Sequence, residues 1–162
     1  KETIETTIRK EIFAQSLPLE KRILSPSDFG FHNALERKDG TLCYLDLEYF
    51  GFDDPAKLII DFIWHPGMDL SSDQKKTWIK ESSKIFNETE HLQSRLFAAW
   101  PVIGLRWSLI LLNEFLVEGW NKRVHAKNVI KELYIEKLEN QLNKASAICN
   151  FISSNSMQCP YV

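Results

Sequence analysis

The chain has 162 residues, of which 44% are hydrophobic and 26% charged, and this composition is typical of one globular domain of ordinary size. Its 20 basic and 22 acidic side chains give a formal net charge of -2. This balance disfavours nucleic-acid binding by phosphate neutralisation and membrane binding by a polybasic face. No apolar run reaches the roughly 18 residues of a membrane span. The cysteines lack the spacing of a zinc site or a disulfide framework, so we expect reduced thiols and a cytoplasmic protein.

The first quarter of the chain combines a helical pattern with a loop rich in aromatic residues. Isoleucines recur at helical spacing and predict an amphipathic helix over 2–15. A short helical turn is expected over 19–23. Residues 24–33 are dense in turn-forming residues, yet they include two phenylalanines and a histidine. Because functional side chains are concentrated on loops, this segment is a candidate for chemistry.

A β-hairpin is predicted next. Asp39-Gly40 lies between two short strand-like runs, which is a strong hairpin signal. Side chains alternate between the two faces of a strand. In the second strand, Asp46 and Glu48 therefore share one face near the strand's end. The opposite face is apolar and is expected to pack against the core; it consists of Cys43, Leu45 and Leu47.

The rest of the chain predicts helices. Asp54 suits the N-cap and Pro55 the first position of a helix that ends at His65. Residues 71–73 cap a second helix that ends near residue 86. The remaining predicted helices and a flexible tail follow, at 88–99, 101–119, 125–152 and 153–162.

Asp28, Asn33 and Asp46 form the candidate site. The hairpin folds the chain back, so Asp46 is expected to approach Asn33. Phosphoryl transfer to a hydroxyl needs a carboxylate that takes the proton, and it needs hard oxygen ligands for Mg²⁺. Asparagine suits the metal position beside an aspartate because it ligates through oxygen without adding negative charge.

Three motifs together resemble the aminoglycoside phosphotransferase and choline kinase group, which are small-molecule kinases with a protein-kinase-like fold. The motifs are DFGFHN at 28–33, YLDLEY at 44–49 and GFDDPA at 51–56. The resemblance implies that Asp28 is the catalytic base, that Asn33 is a metal ligand and that Asp46 is the principal Mg²⁺ ligand. Glu48 would be a nearby second carboxylate. ATP and Mg²⁺ are the implied cofactors, and the hydroxyl of a small molecule is the implied substrate.

The resemblance covers residues 24 to about 62, and the later helices match the helical C-terminal lobe of that fold in order. We therefore expect a mainly α fold, in which a small β-hairpin carries the catalytic and metal loops. Members of the group bind ATP between this lobe and a β-rich N-terminal lobe, and only one or two predicted helices precede Asp28. Residues 1–162 are thus expected to be a single domain, the C-terminal lobe of a longer phosphotransferase that is inactive without the other lobe.

One departure from the group's pattern keeps an alternative open. Pro26 occupies the place of a histidine that normally supports the catalytic loop. A pseudokinase or binding module, which keeps the fold without turnover, is therefore the alternative. A helical interaction protein with an accidental resemblance is a weaker one. Without the downstream motif, Asp28 and Asn33 would equally suit ordinary turn positions.

The remaining polar residues are predicted to be structural. Asp53, Asp54 and Asp61 suit turn, cap and loop-tying positions. His32 lies inside the loop and is expected to be hydrogen-bonded or to face solvent. The other histidines lack the spacing of a metal site; they are His65, His91 and His125.

Overall fold

The computed structural model of the chain describes residues 11, 15–89, 91–116, 131–155 and 158–162. This part is mainly helical and has a small β part, which confirms the coarse expectation of a mainly α fold with a hairpin. The helix predicted over 2–15 lies outside the described residues except at positions 11 and 15. The 19–23 turn is present as a 3₁₀ turn at Leu19–Lys21.

Four three-residue strands form two antiparallel pairs within the described residues. They are β1 (Ile23–Ser25), β2 (Ala34–Glu36), β3 (Leu42–Tyr44) and β4 (Gly51–Asp53). The β2–β3 pair is the predicted hairpin, and Gly40 in its turn has a φ of 81°. The β1–β4 pair replaces the loop and turn expected at these positions, and it joins the two ends of the segment that carries the candidate site.

The expectation that the second hairpin strand runs to residue 48 with an apolar face on the core is wrong. The strand ends at Tyr44, and Asp46 adopts a left-handed backbone with a φ of 56°. A residue in this conformation breaks the alternation of faces on which the prediction depended. Leu45 and Leu47 are consequently 46% and 49% exposed.

The predicted helices that begin after Asp54 and after Ser71 are confirmed with their caps. Helix α1 spans Pro55–Trp64, and the Asp54 carboxylate accepts a hydrogen bond from the backbone N–H of Ala56 at 2.8 Å. Helix α2 spans Ser72–Ile85 and begins with a reciprocal capping box between Ser71 and Gln74.

The two helices predicted over 88–99 and 101–119 are one helix. Helix α3 spans Leu92–Leu112, contains Pro101 in its interior and is followed by a 3₁₀ turn. Packing overrides the local preference of proline here, since Leu96 and Trp100 just before it are fully buried. With its 3₁₀ turn, this helix is long and apolar enough to cross a membrane by length and composition, which the sequence analysis did not anticipate. A core helix passes the same test, and the buried residues of α3 fit that role.

Helix α4 spans Lys131–Ser154, and the preceding residues of the predicted 125–152 helix lie outside the described part. The contacts group the chain into two compact units, residues 1–103 with 158–162 and residues 104–157. In the second unit, the hydroxyl of Tyr134 donates to the backbone carbonyl of Glu114 at 2.8 Å. This bond ties the start of α4 to the 3₁₀ turn after α3.

The first unit is built around α1. Its Ile59 and Ile60 are fully buried, and the indole N–H of Trp64 donates to the backbone carbonyl of Trp100 at 3.0 Å. The last residues of the chain also pack in this unit, because Cys159 is buried and the ring of Tyr161 lies 5.7 Å from that of Trp100. These positions differ from the flexible tail expected over 153–162.

Candidate functional site

Asp28 lies at the apex of a tight loop that follows β1. The backbone N–H of Asp28 donates to the carbonyl of Pro26 at 2.8 Å. Ser27 has a left-handed backbone with a φ of 65°, and its N–H donates to the hydroxyl of Ser25 at 3.1 Å. Ser25 is buried, so its hydrogen bond attaches the loop to the interior of the protein. The hydrogen bonds of the loop hold the backbone of Asp28 in a defined conformation.

The Asp28 carboxylate is contacted on both oxygens. His32 Nε2 lies 3.1 Å and His65 Nε2 lies 3.5 Å from Oδ1. The side-chain amide of Asn33 donates to Oδ2 at 3.3 Å and to the Asp28 backbone carbonyl at 3.0 Å. The side chain nevertheless stays 37% exposed. Asp28 is thus held in place and still accessible from solvent, as a proton acceptor for a bound substrate must be.

The hydrogen bonds of Asn33 orient its amide oxygen away from Asp28. Both bonds to Asp28 use the amide nitrogen, which leaves Oδ1 as the acceptor. In the described part of the chain, no residue donates a hydrogen bond to that oxygen. The backbone carbonyl of Asn33 accepts from the N–H of Leu45 at 2.8 Å, so the residue before Asp46 is attached directly to Asn33. The structure therefore brings Asp28 and Asn33 together and places Asp46 beside them through the backbone.

Asp46 and Glu48 share an acidic, exposed surface with Tyr49. The pKa of Tyr49 is raised, first by the hydrogen bond from its hydroxyl to Glu48 and by the charge of that carboxylate. The charges of Asp46 and Asp28 raise this pKa further. Three of the predicted site carboxylates therefore act on one hydroxyl group.

His32 and His65 form a stacked pair beside Asp28. Their ring centroids are 3.8 Å apart, and the planes differ by 6°. The backbone N–H of Gly67 donates to His65 Nδ1 at 3.1 Å, so the ring proton of neutral His65 lies on Nε2, which contacts Asp28. The pKa of His65 is lowered, chiefly by burial and then by His32, and the neutral form is favoured. The sequence predicts a structural role for His65, because no local signal links this residue to Asp28.

The donor atoms of Asp28, His32 and His65 lie within 4.8 Å of one another, a spacing that suits a metal ion. Two features count against a metal site. A metal ion binds an imidazole in the plane of the ring, about 2.1 Å from the nitrogen, and two parallel stacked rings cannot both offer an in-plane lone pair to one ion. In addition, the proton on His65 Nε2 occupies the position that a metal would need. The cluster is a carboxylate that is hydrogen-bonded to His32 and contacted by His65 at 3.5 Å.

The turn after α1 holds the Asp28 loop in place. The backbone N–H of Phe31 points at Met68 Sδ at 3.2 Å. A Cβ atom at Gly30 would lie 2.6 Å from Met68 Sδ and 2.7 Å from His32 Nδ1. Only glycine permits this close approach. Gly30 and Met68 were not singled out from the sequence, since the signal is a contact between distant segments.

Lys57 connects the loop to β4 and α1. Its ammonium group pairs with Asp53, lies 3.4 Å from the Ser27 hydroxyl and lies 3.5 Å from Asp61. Asp54 makes an ion pair with Arg95 on α3 in addition to its capping bond. The contacts agree with the cap role predicted for Asp54 and with the connecting role predicted for Asp61, whereas Asp53, predicted in a turn, lies in β4.

Large apolar side chains are exposed throughout the β part. Between 37% and 67% of each one is accessible to solvent. They define an apolar surface that consists of Leu24, Phe31, Leu35, Leu42, Tyr44, Leu45, Leu47, Tyr49, Phe50 and Phe52. Exposed large apolar side chains that are concentrated in one segment of the chain, here residues 24–52, are candidates for contact with another molecule.

Comparison of the chain with protein-family models, with curated proteins and with solved structures finds no match. The family and the activity of the chain are therefore proposals that rest on its motifs and on the geometry of the Asp28 loop.

Proposed function

We propose that the chain is the C-terminal lobe of a small-molecule kinase of the aminoglycoside phosphotransferase type, which transfers the γ-phosphoryl group of ATP to a substrate hydroxyl. The observation that carries this proposal is the geometry of Asp28. Its carboxylate is fixed by Asn33 and two histidines, and it remains open to solvent on a loop beside Asp46.

In this mechanism Asp28 orients the substrate hydroxyl and accepts its proton. The hydroxyl oxygen forms a bond to the γ-phosphorus while the bond from that phosphorus to the bridging oxygen breaks, and ADP leaves with the electron pair. Oδ1 of Asp28 is occupied by the two histidines, so Oδ2 is the oxygen with acceptor capacity to spare. The loop therefore supplies one carboxylate oxygen, Oδ2 of Asp28, as the base.

Asn33 and Asp46 are the residues that would hold Mg²⁺. The donor atoms of these two residues suit Mg²⁺, which prefers hard oxygen ligands. Asn33 turns its amide oxygen away from Asp28, and Asp46 supplies a carboxylate. Mg²⁺ bound there would neutralise charge on the β- and γ-phosphates.

The backbone of the site also supports a functional role. Ser27, next to the proposed base, and Asp46, the proposed ligand, both have left-handed φ values, 65° and 56°. Such conformations cost about 1 kcal/mol or more and are concentrated at functional sites. Around Ser27, the hydrogen bonds to the Ser25 hydroxyl and the Pro26 carbonyl maintain the conformation of the loop.

The apolar surface supports the proposal that the chain is one lobe of a larger protein. It lies on the segment that carries Asp28 and Asp46, and a second lobe that carries the nucleotide site would cover it. Covering large apolar side chains stabilises an interface by about 25 cal/mol per Å² of apolar area buried. We therefore expect the isolated chain to lack tight ATP binding.

The test uses the intact protein that contains this chain, radiolabelled ATP, Mg²⁺ and a panel of hydroxyl compounds (aminoglycosides, sugars and amino alcohols). We expect Mg²⁺-dependent transfer of label to one member of the panel. An Asp46→Asn variant should need a higher Mg²⁺ concentration for half-maximal turnover, whereas Asp39→Asn, which replaces an exposed carboxylate in the hairpin turn, should not.

Other outcomes would contradict the proposal. Mg²⁺-dependent nucleotide binding without transfer to any hydroxyl would identify a pseudokinase or binding module. If neither nucleotide nor Mg²⁺ changes the thermal stability of the intact protein, the chain is an interaction protein and its resemblance to kinases is accidental.

A further inference from the structure

His65 contacts the proposed base from a separate part of the fold. Its Nε2 lies 3.5 Å from Asp28 Oδ1, and His32 Nε2 lies 3.1 Å from the same oxygen. His32 belongs to the Asp28 loop itself, whereas His65 is the C-cap residue of α1. Of these two histidines, His65 is therefore the one that joins the carboxylate to the core helix of the first unit.

Hydrogen bonds and ring stacking hold both the backbone and the ring of His65 in place. Its backbone N–H donates to the carbonyl of Asp61 at 2.9 Å, which continues the α1 hydrogen-bond pattern by one residue. Its Nδ1 accepts from Gly67, and its ring stacks on His32. The preceding residue, Trp64, is buried and bonded to the Trp100 carbonyl. These contacts keep the ring in one orientation, with its Nε2 3.5 Å from Asp28 Oδ1.

We infer that His65 is a positioning residue that holds the Asp28 carboxylate in a single rotamer, by its own contact with Oδ1 and by stacking on His32, which is hydrogen-bonded to the same oxygen. Without these contacts, an aspartate that is 37% exposed on a loop samples several χ1 rotamers. With them, one oxygen is fixed and the other faces Asn33. The importance of this order for turnover rests on the proposed function, but the order itself does not.

The expected effect on rate follows from geometry. Misplacing a reacting group by about 1 Å costs on the order of 100-fold in rate. If Asp28 is the base, losing the donor at position 65 should therefore lower kcat about 10- to 100-fold. The KM for nucleotide should stay near the wild-type value, because no bond to nucleotide is removed.

The experiment uses three variants of the intact protein. His65→Phe keeps a ring that can stack on His32 but has no donor. His65→Gln places an amide N–H near the position of Nε2 and should restore most of the kcat. His91→Asn is the control, since it removes a histidine outside the Asp28 cluster and asparagine tolerates the left-handed φ of 55° there.

The readout that is independent of activity is the χ1 rotamer of Asp28, measured by three-bond NMR couplings on protein labelled at aspartate. We expect one rotamer in the wild type, in His65→Gln and in His91→Asn, and rotamer averaging in His65→Phe. Asp54, whose carboxylate is held by other partners, should show no change in any variant.

An ordered Asp28 rotamer in folded His65→Phe would overturn the inference, and so would averaging in the wild type. If His65→Phe does not fold, the rotamer of Asp28 is measured in His65→Gln and His32→Phe instead. Rotamer averaging in His32→Phe together with one rotamer in His65→Gln supports positioning of Asp28 by the two histidines. One rotamer in both variants, with unchanged kcat, refutes it. A wild-type protein with no transferase activity contradicts the proposed function, while the couplings still decide the positioning role.

Discussion

The Asp54 side chain joins α1 to α3, and the cost of replacing it can be worked out from its contacts. One carboxylate oxygen caps α1 through the N–H of Ala56 at 2.8 Å. The other accepts two hydrogen bonds from Arg95, one of them from Nε at 2.8 Å. The two side chains are 23% and 14% exposed, so solvent screens this ion pair only partly.

The two roles can be separated by substitution. Loss of an N-cap costs about 1 kcal/mol. Hydrogen bonds to charged groups are worth about 1.5–3 kcal/mol, and Arg95 would be left largely buried without its partner. We therefore expect Asp54→Ala to lower the free energy of unfolding by about 3 kcal/mol. Asp54→Asn, which retains the cap, should lower it by about 2 kcal/mol.

The assay is chemical denaturation, with Asp73→Asn as the control. Asp73 lies 95% exposed in the first turn of α2, and the N–O distance to Lys76 is 3.9 Å, so its replacement should change stability by less than about 0.5 kcal/mol. A double-mutant cycle with Arg95→Met should show coupling between positions 54 and 95. Additive effects in this cycle, or a loss below about 1 kcal/mol in Asp54→Ala, would refute the account of this contact.

Three further predictions concern the loop, one histidine and one cysteine. Gly30→Ala should lower both stability and turnover, because the new methyl group meets Met68 Sδ at 2.6 Å; a folded variant with wild-type kcat would contradict the close approach. Because the folded-state pKa of His65 is lowered from 6.5, the unfolded chain binds its proton first as pH falls below 6.5. Denaturation at about pH 7.5 and about pH 5.5 should therefore show a loss of stability that is smaller in His65→Gln, and equal losses would contradict it. Burial raises the pKa of Cys159 to about 11, so mass spectrometry after alkylation near pH 8 should find Cys159 modified more slowly than the partly exposed Cys43; equal rates would contradict its burial.

Local signals in the sequence predicted the elements whose stabilising contacts are themselves local. The Asp39-Gly40 turn and the caps at Asp54 and Ser71 depend on residues within a few positions of one another, and all three are present. Pro101 was misinterpreted as a helix start because its burial context depends on tertiary packing. Propensity is a weak guide when packing decides the outcome.

The rest of the site depends on long-range contacts that no single segment encodes. The β1–β4 pair consists of three-residue strands far apart in the chain, too short for alternation to identify. The contact between His65 and Asp28 also joins distant segments, and spacing alone treated this histidine as structural. The left-handed backbone at Asp46 changed which neighbouring leucines are exposed, and nothing in the sequence pattern signals it.

The most direct test of the central claim is the turnover of Asp28→Asn in the intact protein, compared with wild type and with Asp39→Asn. Asparagine keeps the shape of the side chain and its contact with Asn33 but cannot accept the substrate proton. General-base catalysis contributes about 10²- to 10⁴-fold, so we expect kcat to fall by at least about 100-fold while the protein stays folded. Turnover of Asp28→Asn equal to that of Asp39→Asn would show that this carboxylate is not the base, and the proposed phosphotransferase mechanism would be wrong.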